Sequence, residues 1–158
     1  MRKIERLLKE YGSSHKNDTN KKIHWICVPA IFWSVVALIY SIPNASLLSV
    51  FGDTYLSNWA VVVLVLVVVY YFTLSITLGF GMTLVGVLAI ALSETVSQIA
   101  ALPLWAIALI VFFIAWIGQF WGHKIEGKKP SFLKDLQFLL IGPAWLMHFM
   151  FKRLGIKY

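Results

Sequence analysis

The sequence predicts an all-α, polytopic membrane protein with about four transmembrane helices and a short interfacial or re-entrant segment near the C-terminus. Three observations predict it. Of the 158 residues, 59% are apolar and 13% charged, against about 25% charged in a typical globular domain. A soluble fold of this size has too little interior to hide so much apolar surface. The apolar residues also fall into runs long enough to cross about 30 Å of hydrocarbon. Finally, the Lys and Arg residues split into seven within residues 1–22 and seven within residues 124–158, with none between Lys22 and Lys124. A net charge of +7 would suggest nucleic acid in a soluble protein, but this distribution is that of topology. Basic residues mark the cytoplasmic side, so both termini are expected there, in a bacterial inner membrane or an endoplasmic reticulum, with no nucleic-acid partner. The oligomeric state is not legible.

The chain reads as one integral membrane domain over residues 1–158, in three parts: a cytoplasmic amphipathic helix and loop (1–22), four spans (23–121) and a cytoplasmic or interfacial tail (122–158). Residues 2–11 place Ile4, Leu7, Leu8 and Tyr11 at helical spacing among charges, which predicts a short helix lying on the cytoplasmic leaflet. The polar segment HKNDTNKK that follows reads as loop. Residues 23–42 form the first apolar run, with Pro29 inside it. Residues 43–58 contain Asp53 and no basic residue, and are expected as a loop on the far side. The second run covers residues 59–78, and Gly79, Phe80 and Gly81 are expected as a tight turn. The third covers 82–98, and the fourth 103–121, opened by Pro103. Four spans return the chain to its starting side, as the two basic clusters require. A last apolar stretch, 136–151, is interrupted by Gly142-Pro143 and has basic residues at both ends, which favours a re-entrant or interfacial segment over a span. The one cysteine, Cys27, permits no intrachain disulfide, and no signal peptide is expected.

Chemistry is most legible in the histidines. His15, His24, His123 and His148 all lie outside the long stretch from Trp25 to Gly122, so the topology carries all four toward one membrane face. A cluster of imidazoles is a metal-site candidate, suited to non-heme Fe(II) but equally to Zn(II) and other first-row metals. Gln119 and His123 stand at i, i+4 and share a helix face. Glu126 joins that face if the helix persists past Gly122, giving a ligand with a supporting acceptor. Glu94, the only acidic residue within an apolar run, is expected to reach water on the far side. There is no Ser-His-Asp order, phosphate-binding glycine loop or CxxC, so a hydrolase, a nucleotide enzyme and a redox thiol enzyme lack support. A small transporter or scaffold is the rival class, but midplane polar residues and repeats are missing. Lipid hydroxylases and desaturases usually carry HxxH or HxxxH pairs, and none occurs here.

Two segments carry a more specific pattern. YGSSHKNDTNKKIHWICVP (residues 11–29) and GQFWGHKIEGKKP (residues 118–130) resemble the motifs of a membrane family that includes the fungal 2-hydroxy-fatty-acid dioxygenase of the endoplasmic reticulum. Tyr11, His15, Asn17, Asn20, His24 and Pro29 match the first motif. Gln119, Gly122, His123, Glu126 and Pro130 match the second. The resemblance implies an Fe(II)-dependent dioxygenase that converts a 2-hydroxy fatty acid and O2 to the fatty acid one carbon shorter. It implies His15, His24, His123 and His148 as iron ligands or their close support; Asn20, Gln119 and Glu126 are then expected to support the metal or the substrate, and Lys124, Lys128 or Lys129 to attract the substrate carboxylate.

Overall fold

The computed structural model describes residues 2–54, 56–127 and 138–156, and every regular element among them is a helix. In chain order these are α1 (Lys3–Gly12), α2 (Asp18–Tyr40), α3 (Ala45–Phe51), α4 (Trp59–Leu74), α5 (Ile76–Ile99), α6 (Leu104–Ile125) and α7 (Ile141–Arg153). Helices α2, α5 and α6 are long and apolar enough to cross a membrane, and α4 is a shorter apolar helix of about 24 Å at 1.5 Å per residue. Their outward faces are apolar, with Ile26, Leu66, Phe80 and Ile117 each at least 66% exposed. That is the arrangement of a polytopic membrane protein, in which lipid and not water meets the surface.

The helices depart from the sequence expectation at four places. The polar segment after α1 is not all loop: Asn17 caps α2 by accepting the backbone N–H groups of Thr19 (2.9 Å) and Asn20 (3.3 Å), so the helix begins at Asp18. The expected far-side loop contains the short α3, which Asn44 and Gly52 bound. The tight turn falls at Ser75 and not at residues 79–81. Ser75 is extended (φ −167°, ψ 133°), ends α4, and caps α5 by accepting from the N–H of Leu78. Gly79 and Gly81 lie within α5 because neighbours need the space. A Cβ on Gly79 would fall 2.4 Å from the Phe72 ring, and one on Gly81 would fall 2.8 Å from Phe151. Finally, α1 turns its apolar stripe into the protein and not onto a leaflet: Ile4, Leu8 and Tyr11 are buried in one cluster with Trp145 of α7 and Tyr71 and Met82 of α4 and α5.

Helix α7 begins at Ile141, so Pro143 sits in its first turn, where the missing N–H costs nothing. At thirteen residues it is about 20 Å long, too short to span, and every residue from 141 to 147 is buried. Residues 136 and 137 of the expected segment lie outside the described residues. The Tyr71 hydroxyl of α4 donates to the carbonyl of Leu140 (2.5 Å) and holds the start of α7 in place. The closest partnership in the fold is α2 with α6. Gly118 and Gly122 face α2, where an added Cβ would fall 2.7 Å from Cys27 Sγ and 2.3 Å from Asn20 Oδ1. Small residues four apart let two helices approach closely without a side-chain layer between them. The result brings the N-terminal end of α2 beside the C-terminal end of α6.

Candidate metal centre

That junction is where the histidines meet. His24 lies in the second turn of α2, His123 in the last turn of α6, and His15 in the connection from α1 to α2. All three are buried, at 0%, 5% and 4% relative exposure respectively. One ligand atom from each lies within 4.8 Å of the others. The ring centroids are 4.2 Å apart for His15 and His24, 5.3 Å for His15 and His123, and 5.1 Å for His24 and His123, all edge to face. Edge-to-face rings do not fill the space between them by stacking.

The backbone sets the tautomers. Nδ1 of His15 is 2.7 Å from the carbonyl of Tyr11, and Nδ1 of His24 is 3.0 Å from the carbonyl of Asn20. A carbonyl only accepts, so each Nδ1 carries its proton and the lone pair of the neutral ring lies on Nε2. Metal-bound imidazoles usually have this second-nitrogen bond, which fixes the ring and raises its basicity. The Nε2 atoms of all three rings are buried. Two imidazoles oriented by the backbone and a third buried beside them fit a first-row divalent cation, and three protein ligands leave positions open for other molecules.

The surroundings hold the rings in place. Tyr11 stacks on His15 at 4.4 Å and 16° between planes, and Trp145 closes from α7 at 5.3 Å. Beside them Tyr11, Gln119, Trp116 and Gly142 help line a cavity of about 20 Å³, the space of about one water or diatomic molecule. Glu126 takes a different part from the one its spacing suggests. Helix α6 does persist past Gly122, but the carboxylate accepts from the backbone N–H groups of Lys16 (2.8 Å) and Asn17 (2.9 Å) and from the Asn20 amide (3.1 Å). It therefore clips the loop that carries His15 onto the end of the helix that carries His123. Partial burial pushes the carboxyl of Glu126 up, but the N–H donors of Asn17, Lys16 and Asn20 and the nearby His15 ring outweigh it. The group sits below the ordinary carboxylate range.

The remaining candidates divide. Asn20 is fully buried between Glu126 and Gly122. Gln119 is buried at the small cavity, one helical turn before His123. Lys124 is exposed, and Lys128 and Lys129 lie outside the described residues. His148 is not one of the three-histidine group. It stands on α7 against Phe149, where burial and then the Lys152 cation hold its pKa below the ordinary histidine value. The family described as 2-hydroxy-palmitic acid dioxygenase Mpo1-like matches residues 1–154 of the chain.

The chain belongs to the Mpo1-like family. No curated protein and no solved structure matches it. The three histidines thus lie at one end of an apolar-faced helical bundle, in a family named for a fatty-acid dioxygenase. Three residues that are not ligand candidates shape the geometry. Gly118 and Gly122, whose G-x-x-x-G spacing was available as a helix-approach signal, let α2 and α6 close on each other. Trp145, buried at 4% exposure, carries no motif and could be placed only by the fold.

Proposed function

We propose that this protein is an iron-dependent dioxygenase that shortens a 2-hydroxy fatty acid by one carbon, working at the cytoplasmic face of its membrane. The observation that carries the reading is the convergence of His15, His24 and His123, buried, from three separate elements, in a chain of the Mpo1-like family. His15 and His24 would hold the metal through Nε2, with their Nδ1 protons tied to the backbone; His123 completes the set. When bound, Fe(II) supplies the redox chemistry with O2 and a point at which the substrate's carboxylate and 2-hydroxyl are oriented.

The chain's own residues do the rest. Tyr11 and Trp145 wall the rings and exclude water. Gln119 presents an amide to a cavity with room for a diatomic molecule. Glu126 and Asn20 keep the His15 loop against α6. His148, outside the three-histidine group and with its pKa lowered by burial and the Lys152 cation, is proposed as a proton acceptor on the α7 side and not as a ligand. Exposed Lys124 contributes to a basic end that draws in a carboxylate. The described basic residues lie at this same end, which supports a cytoplasmic setting for it and for both termini under the positive-inside rule.

Purification in detergent without oxygen, metal analysis, and addition of Fe(II), 2-hydroxypalmitate and O2 test this, with products read by mass spectrometry. Formation of pentadecanoate, abolished by chelation and by His24→Ala, is the expected result. Reconstitution with Zn(II) occupies the same ligands without turnover. Metal binding and turnover that survive the triple change His15→Ala, His24→Ala, His123→Ala overturn the assignment.

A further inference from the structure

Helix α7 contributes side chains to two places. Trp145 turns toward His15. Met147 and Met150 turn the other way and line a groove of about 280 Å³, together with Trp25 and Trp33 of α2 and Ala89 and Leu92 of α5. The groove opens sideways to the region a bilayer fills: Trp25, Leu92 and Met150 are 43%, 49% and 44% exposed. Its upper end is level with the metal centre, because Trp25 directly follows His24 and so lies within about 1.5 Å of it along the helix axis. Its deep end is Trp33, eight residues and about 12 Å further into the bundle, where the indole packs with the Ala89 cluster. Among the described residues, two cations lie beside groove residues. Lys21 is one turn before Trp25 and Arg153 follows Met150 by three, so each shares its helix face with a groove residue.

We infer that this groove is the acyl-chain site for the substrate of the proposed reaction, taking one chain of a carboxylate-headed amphiphile laterally from the bilayer, with Trp33 and Ala89 setting how long a chain fits. The inference rests on the dioxygenase reading for the identity of the head group. The space suits a single chain: at about 280 Å³ it lies just below the roughly 300–1,000 Å³ of small-molecule pockets. The apolar length calls for an alkyl chain, and the cations beside the groove call for an anionic head. Selection cannot arise from hydrophobic transfer, since lipid tails are as apolar as the groove; it arises from shape, which a bulky or a missing side chain changes directly.

Kinetics and labelling together test this. In the purified protein, Ala89→Trp is expected to lower the ratio of kcat/KM for 2-hydroxypalmitate over 2-hydroxyoctanoate by at least about tenfold. Trp33→Ala is expected to raise turnover of 2-hydroxytetracosanoate relative to 2-hydroxypalmitate. Leu66→Trp, on the outward face of α4, is the control that leaves both ratios unchanged. A 2-hydroxy acid with a photoreactive group at the chain end is expected to label α2 near Trp33 and α5 near Leu92, in competition with 2-hydroxypalmitate. Turnover by the parent protein with both ratios unmoved in both variants overturns the groove while leaving the reaction intact. Labelling scattered over α4 and α6, or not competed by 2-hydroxypalmitate, means that the groove holds ordinary lipid only, and also overturns it. Absence of turnover with any chain length, combined with competed labelling at Trp33 and Leu92, refutes the reaction and keeps the acyl site. If Ala89→Trp fails to fold, Trp33→Ala and the labelling decide.

Discussion

Replacing Glu126 with Ala removes one carboxylate from three N–H donors, and the structure allows the consequence to be estimated. The bonds from Lys16 and Asn17 are exposed, so water replaces the lost acceptor and each is worth about 0.5–1 kcal/mol net. The bond from the Asn20 amide is part-buried and is worth about 1 kcal/mol. The sum is about 2–3 kcal/mol, spent in the native protein on keeping the His15 loop against α6. If that loop must be ordered for the metal to bind, 2 kcal/mol corresponds to about a 30-fold loss of affinity, within the 10–100-fold usual for groups that support metal ligands. Glu126→Gln should fall between, because one oxygen is replaced by an NH2 that faces N–H donors. Fe(II) affinity measured anaerobically by competition with a chromogenic chelator, alongside the thermal unfolding midpoint, checks both variants. Glu126→Ala protein that binds Fe(II) within about threefold of the parent and melts at the same temperature would refute the clip.

Further outcomes follow from other contacts. Gly122→Ala places a Cβ 2.3 Å from Asn20 Oδ1; with Asn20 fully buried and tied to Glu126, the helices must move apart, at about 1–3 kcal/mol, and calorimetry should show a lower midpoint together with reduced bound metal. His148→Ala should keep the metal content of the parent and lose turnover by on the order of 10²-fold, whereas His24→Ala should lose the metal itself; metal analysis beside activity separates them. Tyr71→Phe deletes the donor to the Leu140 carbonyl and should destabilise by about 1–2 kcal/mol, seen as faster proteolysis near residue 140 with the spans intact.

Much of the architecture was legible because its causes are local. The membrane class follows from the length and hydropathy of single segments. The grouping of basic residues at one end follows from charge read along the chain. The errors were local too, and each has a competing cause. Gly79 and Gly81 read as a turn because glycine favours turns, but Phe72 and Phe151 need the space their missing side chains leave. Residues 18–22 read as loop because they are polar, but Asn17 supplies a cap and the segment becomes the first turns of α2. The stripe of α1 suits a lipid surface as well as a protein one, and only the presence of α7 decides between them.

By itself, the sequence determined an all-helical membrane protein with basic ends, four histidines outside its apolar middle, and two motifs of a dioxygenase family. The tertiary structure decided which histidines meet. His24 and His123 are almost a hundred positions apart, and their distance depends on how closely α2 and α6 approach, which Gly118 and Gly122 control through the side chains they lack. It also decided that Glu126 bonds to the His15 loop and not along its own helix, that His15, His24 and His123 group without His148, and that α7 turns Trp145 toward His15 and Met147 and Met150 toward a groove. Hydropathy and spacing act within one segment, whereas a ligand set, a clip and a groove are made between segments, so only packing could specify them.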